Sequence, residues 1–193
     1  LARTAVKKQS TWDEYCRQLT ALRYRNGKID GYLSRLHYFS DWIANNEQKG
    51  FVTDITKISG GVPDTLQLYF MSRNAGRYPA LQRNATLVDG IAVQERSLNG
   101  KIIYYLPTFR LDSASLATIQ SGDIIAFTTD IPGLDIAHIG IAIQNNGEVR
   151  LIHASSSQGR VIVENRSILQ QLKDNKKFSG IRIIRPQNFE SRK

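Results

Sequence analysis

Hydrophobic residues recur every three or four positions through much of the first half of the chain, and this spacing predicts helices. We expect a first helix that ends at Asn26 and Gly27, a second from about residue 30 to residue 46, and a third over residues 87–98. The apolar stripe of the first helix comprises Trp12, Tyr15, Cys16, Leu19 and Leu22. Because such a stripe usually faces the protein core, we expect Cys16 to be a small core residue.

From Gly122 onward the pattern changes to short apolar runs separated by turn residues, which predicts closely spaced antiparallel strands. One helix is expected among them, over residues 167–173. The expected strands cover residues 123–128, 137–144, 149–154, 160–164 and 180–184. A helical front half followed by an antiparallel meander predicts an α+β fold. We expect a single domain over residues 1–186 and a polar tail at 187–193.

A strand–turn–strand pattern spans residues 137–155 and contains the dipeptide Asn146-Gly147. An Asn-Gly step between two apolar runs is a strong hairpin signal, because a tight hairpin turn needs residues that tolerate positive φ. Closure at this step places Ala142 opposite Leu151. This register decides which side chains share a face, since successive side chains along a strand alternate between faces.

His138 and His153, two of the three histidines in the chain, emerge on the same face of this hairpin. They are diagonal neighbours, and such neighbours lie about 7 Å apart at Cβ or somewhat closer, within reach of two imidazole rings. The same face carries the small residues Gly140 and Ala142, which would let another element pack closely. We expect the opposite face to be the core stripe, formed by Ile139, Ile141, Ile143 and Ile152.

The charge balance is basic, with 26 Lys and Arg against 17 Asp and Glu and a net charge of +9. This favours an anionic partner such as an acidic wall polymer, a nucleic acid or a membrane surface, or else a solvated basic surface. The sequence has no zinc-finger spacing, aromatic-interleaved RNA motif or continuous basic helix, so we do not expect nucleic-acid binding. It also has no long apolar run that predicts a transmembrane segment.

Two neighbouring imidazoles suit a triad in which one histidine moves the proton of a nucleophile and a second polar group orients that histidine. The alternatives are structural histidines or a metal site, although zinc usually needs three or four ligands and only Asp130 and Asp135 lie near in sequence. The nucleophile is not evident. Cys16 lies within a helical stripe rather than at a helix N-terminus, and the serines at 155–157 lack the Gly-x-Ser-x-Gly elbow.

Three segments resemble the signature of the NlpC-type papain-like cysteine peptidases and amidases, which hydrolyse amide bonds in peptidoglycan stem peptides. They are Gly-Asp-Ile-Ile-Ala-Phe at 122–127, Ala-His-Ile-Gly-Ile-Ala at 137–142 and Ile-His-Ala-Ser at 152–155. The resemblance implies a papain-like fold in which the helical front half packs on an antiparallel sheet. It also implies that His138 is the general base and acid, that His153 orients it, and that no metal or organic cofactor takes part.

The segments at 22–27, 34–42 and 133–138 resemble a branch described as N-acetylmuramoyl-L-alanine amidase-like, and this branch covers nearly the whole chain. Its nucleophile lies in an Asp-Cys-x-Thr-Phe-x-Glu element at the start of a helix whose last turn resembles residues 1–3. The resemblance therefore implies a catalytic cysteine upstream of Leu1. The residues expected at the substrate cleft are Arg35, His37, Trp42, Asp135 and Ser155.

The expected function is hydrolysis of an amide bond in peptidoglycan stem peptide, or a related wall fragment, in the cell envelope. One alternative is a non-catalytic wall-binding relative of the same fold. Another is a glycan hydrolase with paired carboxylates, for which Asp41, Glu95, Asp123 and Asp135 are available without a spacing that pairs them. The sequence leaves open which amide bond is cleaved and whether the protein assembles.

Overall fold

The computed structural model describes residues 11–145 and 147–187. Within these ranges helices combine with an eight-stranded antiparallel sheet, which confirms the α+β class. The helices are α1 (Trp12–Arg23), α2 (Phe39–Gln48), α3 (Phe70–Arg73), α4 (Ala85–Leu98), α5 (Ser113–Leu116) and α6 (Ile168–Asp174), with 3₁₀ turns at Arg25–Gly27, Tyr32–Ser34, Ala75–Arg77 and Thr108–Arg110. The strands are β1 (Val52–Asp54), β2 (Val62–Thr65), β3 (Ile102–Pro107), β4 (Ile124–Thr129), β5 (Ile136–Asn145), β6 (Glu148–Ser155), β7 (Arg160–Val163) and β8 (Phe178–Pro186).

The sheet has the strand order β2-β3-β8-β4-β5-β6-β7, with β1 also paired to β8. Every pairing is antiparallel. The β5–β6 ladder has the predicted register, with Ala142 opposite Leu151. Gly147 in the connecting turn has a φ of 82°, while Asn146 lies outside the described residues. Apart from Gln187, the predicted tail also lies outside them.

Both faces of the sheet are apolar, and the hairpin face that enters the main core is the opposite of the predicted one. Ala142 and Leu151 are buried in that core beside Phe127, whereas Ile139 and Ile141 are 44% and 47% exposed. The predicted isoleucine core stripe is therefore wrong, and the histidines share the core face. The other face packs against α2 through a second cluster, which includes Ile43, Val52, Ala126 and Ile184. Hydrophobicity alone could not choose between two faces of the sheet that are both apolar.

Helix α2 begins at Phe39, later than predicted, and Arg35 and Tyr38 have extended backbone. The reason is a tertiary pairing, because the backbone N–H of Leu36 donates to the carbonyl of Arg23 at 3.0 Å and forces the chain out of a helix. His37 and Arg35 consequently precede the helix rather than lie on it. The predicted helix over 87–98 is confirmed as α4, which starts at Ala85.

Helix α1 forms as predicted, with Thr11 as its N-cap and Asn26 at a positive φ of 55° just beyond its end. Its apolar stripe is not buried, however, since α1 has no buried residue and Trp12 is 74% exposed. Cys16 is a free, half-buried thiol, so its predicted place in a closed core is wrong for the described residues. Within residues 11–145 and 147–187, no helix is both long enough and apolar enough to cross a bilayer.

Candidate active site

His138 on β5 and His153 on β6 form a direct hydrogen bond, with 2.8 Å between Nε2 of His138 and Nδ1 of His153. Their ring centroids are 4.8 Å apart and the ring planes are perpendicular. An edge-on arrangement lets the in-plane nitrogen of each ring meet the other, as a proton-sharing pair requires. The predicted convergence of the two side chains is therefore confirmed in geometry.

A β-bulge aims His138 into this position. His138 lies opposite Phe127, but the next pair in the ladder is Thr128 with Ile136, so Ala137 is the extra residue on β5. Ile136 packs with the cluster at α2, whereas His138 stacks on the core residue Phe127. A bulge adds one residue to a strand and thereby changes the face on which the following side chains project.

The surroundings of His138 favour its neutral form. Its ring lies 6.2 Å from that of Phe127, which has no exposed surface and itself stacks on Phe178 at 4.4 Å. Burial lowers the pKa of His138, and the electrostatic interaction with the neighbouring His153 lowers it further. An imidazole that is unprotonated near neutral pH can accept a proton from a nucleophile.

The far side of His153 faces an acidic residue that the sequence did not single out. Nε2 of His153 is buried without a hydrogen-bond partner among the described residues, and it lies 3.7 Å from a carboxylate oxygen of Glu164. Arg166 holds that carboxylate by donating from Nη2 and Nε at 3.0 and 3.2 Å. The hydrogen bond from Arg166 is the main reason that the pKa of Glu164 falls to about 2. The carboxylate is therefore ionised at physiological pH.

Two clefts meet at His138. A polar cleft of about 670 Å³ extends past His153 toward the turn after β6 and the start of β8, and a smaller one of about 390 Å³ extends toward α2. Residues that line the larger cleft include Ser155, Gln158, Glu164, Arg166 and Lys177. Residues that line the smaller one include His37, Tyr38, Tyr78 and Asp135. An extended substrate could thus pass on both sides of the histidine pair.

Asp135 and Ser155 both lie at these clefts, but their polar atoms are occupied. Asp135 is buried and accepts backbone N–H bonds from Ser40 at 2.7 Å and Ile136 at 2.8 Å. Burial raises the pKa of Asp135. Ser155 accepts from the backbone N–H of Gln158 at 3.3 Å and so closes the turn after β6. These contacts favour roles in shaping the loops on either side of the pair.

Arg35, His37 and Trp42 line a third, apolar groove of about 630 Å³, which reaches His153 from the α2 side. Nε2 of His37 lies 3.0 Å from the carbonyl oxygen of Tyr32, and burial lowers the pKa of His37. The ring of Trp42 stacks on Phe39 at 4.9 Å. The groove continues over the exposed outer face of the hairpin. His37 alone of the three also lines the smaller cleft at His138.

The four carboxylates considered for glycan hydrolysis are each held in a different structural contact. Asp41 pairs with Arg25 at 2.6 Å and Asp123 with Arg185 at 2.8 Å. Glu95 is buried and accepts from the hydroxyl of Tyr38 at 2.6 Å. With Asp135 bound to backbone N–H groups, the geometry offers no facing pair of free carboxyls among them.

Cys16 is not among the residues that line these three spaces, considering the described part of the chain. In that part there is also no group of three or more His, Cys, Asp and Glu side chains arranged to hold a metal ion. The described site thus presents a hydrogen-bonded pair of imidazoles at the junction of two clefts.

The profile of the AmiA-like family, described as N-acetylmuramoyl-L-alanine amidase-like, matches residues 2–181. The chain belongs to this amidase-like family. No curated protein matches the sequence. The family match spans the helical front half as well as the sheet, and so includes both histidines.

Solved structures agree with the family assignment. The chain is 41% identical to an N-acetylmuramoyl-L-alanine amidase from Bacteroides uniformis, with a TM-score of 0.92 over 97% of this chain and 79% of that one. It is 42% identical to a protein from Bacteroides fragilis named a putative xylanase, with a TM-score of 0.88 over 94% and 80% of the two chains. A Legionella pneumophila protein at 20% identity, with a TM-score of 0.69 over 93% and 71%, shares the fold.

Proposed function

We propose that this amidase-like protein hydrolyses an amide bond in peptidoglycan, with His138 as general base and acid and His153 as its orienting partner. The observation that carries the proposal is the 2.8 Å hydrogen bond between the two rings at the junction of two clefts. Its physical basis is that a second polar group fixes the tautomer of a catalytic imidazole and stabilises the imidazolium that forms. Membership of the amidase-like family supports an amide as the bond that is cleaved.

The proposed fold is a single papain-like domain of the NlpC type over residues 1–186, and the proposed nucleophile is a cysteine upstream of Leu1, as the sequence resemblance implies. Its thiol gives a proton to His138, and the thiolate attacks the amide carbonyl carbon. The C–N bond breaks as His138 returns the proton to the leaving amine. Water, deprotonated by His138, then cleaves the thioester and restores the thiol. No step needs a redox partner.

The proposed substrate is a peptidoglycan stem peptide or a related wall fragment, and the proposed location is the cell envelope. The net charge of +9 supports an acidic polymer as partner. Lys177 places a basic group along the larger cleft, where a carboxylate of a stem peptide would find a complementary charge.

A second candidate is glycan hydrolysis, favoured by the name of the Bacteroides fragilis relative. Glycan hydrolysis needs a facing pair of free carboxyls, but the available carboxylates are held in separate structural contacts. They are Asp41, Glu95, Asp123 and Asp135. A third is a wall-binding protein without turnover, which would keep the clefts and bind the polymer.

The experiment is digestion of purified peptidoglycan by the full-length protein, with free amines and reducing ends measured separately on the same samples. We expect amines to be released, and His138→Ala to lower the rate by about 100-fold or more, as loss of a general base does. Phe109→Ala, which removes an exposed ring away from the clefts, is the control and should act like the wild type. Reducing ends without amines would establish the glycan hydrolase instead. Sedimentation with the polymer and no product would establish the binding protein.

A further inference from the structure

The buried Nε2 of His153, which faces Glu164, indicates which ring nitrogens of His138 and His153 carry a proton. A neutral imidazole has one N–H donor and one bare acceptor nitrogen, whereas an ionised carboxylate only accepts. Nε2 of His153 is removed from solvent, and its neighbour at 3.7 Å is the Glu164 carboxylate. A bare nitrogen there would set a lone pair against a negative charge in a poorly solvated place, so Nε2 is the protonated nitrogen.

Glu164 is held firmly enough to impose this choice. It directly follows β7, and its backbone N–H donates to the carbonyl of Leu151 on β6 at 2.8 Å. Arg166 grips both carboxylate oxygens, and its remaining Nη1 donates to Asp174 of α6 at 3.2 Å. The carboxylate is thus fixed between the sheet and a helix. Its separation from His153 exceeds hydrogen-bond length, and such contacts often shorten when substrate binds.

The proton on Nε2 of His153 determines which histidine donates and which accepts in the bond between the two rings. With Nε2 protonated, Nδ1 of neutral His153 is bare and must accept in the 2.8 Å bond. Nε2 of His138 therefore donates, which leaves Nδ1 of His138 with the free lone pair. Among the described residues, Nδ1 of His138 makes no hydrogen bond, so it is available to a reacting group.

We infer that Glu164 is a positioning residue that sets both histidines in the Nε2–H tautomer and so makes Nδ1 of His138 the atom that exchanges the proton with the nucleophile. The catalytic meaning of this assignment rests on the proposed function, but the tautomers themselves do not. The negative charge of Glu164 also favours the imidazolium that forms on the pair during proton transfer.

The test is ¹⁵N NMR of the histidine rings, which distinguishes protonated from bare ring nitrogens. With three histidines in the chain, assignment by single substitution is practical. We expect the wild type at neutral pH to show protonated Nε2 and bare Nδ1 at both His138 and His153. In Glu164→Gln the amide can turn its NH₂ group toward His153, and the Nδ1–H form should rise from a minor population to at least half at both rings.

Two variants control for the substitution itself. Glu148→Gln makes the same change on β6, where Glu148 pairs with Arg150 in an exposed ion pair, and it should leave all three histidines as in the wild type. Glu164→Asp keeps the charge and should retain the Nε2–H form at both rings. A wild-type His153 with its proton on Nδ1 would overturn the inference. So would unchanged tautomers in a folded Glu164→Gln protein.

The kinetics of the full-length protein provide a second measurement. Loss of the correct tautomer should lower kcat by about 10-fold or more because it acts on proton transfer, whereas loss of a charge from the wall of the larger cleft acts on KM. Because the NMR result does not need turnover, a chain with the expected tautomers that releases no amine would contradict the proposed function alone. Wild-type tautomers other than those stated would contradict the role of Glu164 alone.

Discussion

Phe127 lies directly opposite His138 in the β4–β5 ladder, and its ring, which has no exposed surface, supports the histidine from the core side. The residue links the stability of the fold to the geometry of the site. The Phe127 ring also stacks on Phe178 of β8, with 4.4 Å between the ring centroids. A change at Phe127 therefore affects both the packing of the sheet and the histidine pair.

We expect Phe127→Ala to lower the free energy of unfolding by about 3–5 kcal/mol, because it leaves a cavity in a close-packed core. Urea unfolding followed by circular dichroism measures it. Phe109→Ala removes the same ring from an 84% exposed position and should change stability by less than about 0.5 kcal/mol. Equal changes in the free energy of unfolding for the two substitutions would show that Phe127 does not stabilise the core as proposed.

The lowered pKa of His138 predicts how activity depends on pH. Only the neutral ring can accept a proton, so kcat/KM should fall on the acid side with a midpoint below 6.5, the ordinary pKa of histidine. A midpoint above 6.5 would contradict the burial effect. The measurement is a pH profile of amine release by the full-length protein.

The same shift predicts a pH dependence of stability. Because His138 binds a proton less readily when folded, the unfolded chain takes up more protons as pH falls below 6.5, and stability decreases in that window. The stability that depends on neutral His138 is fully present above pH 6.5 and is lost as pH falls through the pKa of His138 in the folded protein. His37, whose pKa is also lowered by burial, adds to the slope. The difference between wild type and His138→Gln isolates the part due to His138.

A buried hydrogen bond ties the segment before α2 to helix α4. Tyr38 donates to Glu95 at 2.6 Å and accepts from the backbone N–H of Met71 at 2.9 Å. Tyr38→Phe leaves the N–H of Met71 without its partner and leaves Glu95 with only the backbone N–H of Ser72 at 3.1 Å, so it should lower the free energy of unfolding by about 1–3 kcal/mol. Tyr105→Phe is the matched control, because the Tyr105 hydroxyl has no hydrogen-bond partner in the described part of the chain. A comparable loss in both variants would refute the role of this bond.

The loop before β5 approaches Tyr69 closely at Gly133, where an added Cβ would lie 2.6 Å from the tyrosine ring. Gly133 and Gly100 have similar positive φ values of 78° and 81°, but a Cβ at Gly100 meets nothing within 4 Å. Both Ala substitutions therefore carry backbone strain, and only Gly133→Ala adds a clash. We expect Gly133→Ala to be more destabilising by about 1–3 kcal/mol in thermal or urea unfolding. Equal values would show that Tyr69 moves aside freely.

The sequence predicted the hairpin, its register and the meeting of the two histidines, because each depends on local rules for turns and alternation. It failed on the face of the hairpin that enters the core, since isoleucines fill one face and small residues the other while both sides of the sheet are apolar. It also missed the extended segment at Arg35, which follows from a long-range pairing to Tyr24.

Glu164 was missed for a different reason. It stands at the end of a predicted strand, where an acidic residue is ordinarily solvated, and only the pairing of β6 with β7 brings it to His153. Its sequence neighbour Arg166 is the available signal, since the two bind each other across one intervening residue. Local spacing identifies that ion pair but not the ring it faces.

The bulge at Ala137 separates a segment whose length can change from one whose length is fixed. Residues gained or lost in the loop between β4 and β5 fall on the far side of the bulge and leave the ladder at Phe127 in phase. A single deletion at the bulge would keep Ile136 opposite Thr128 and His138 opposite Phe127, so it would restore regular pairing without moving the imidazole to the other face. A residue gained or lost between His138 and Ala142 would instead shift the phase of the strand and turn the imidazole of His138 toward α2. Changes in chain length are therefore compatible with the histidine pair in the loop and at the bulge, but not between His138 and Ala142.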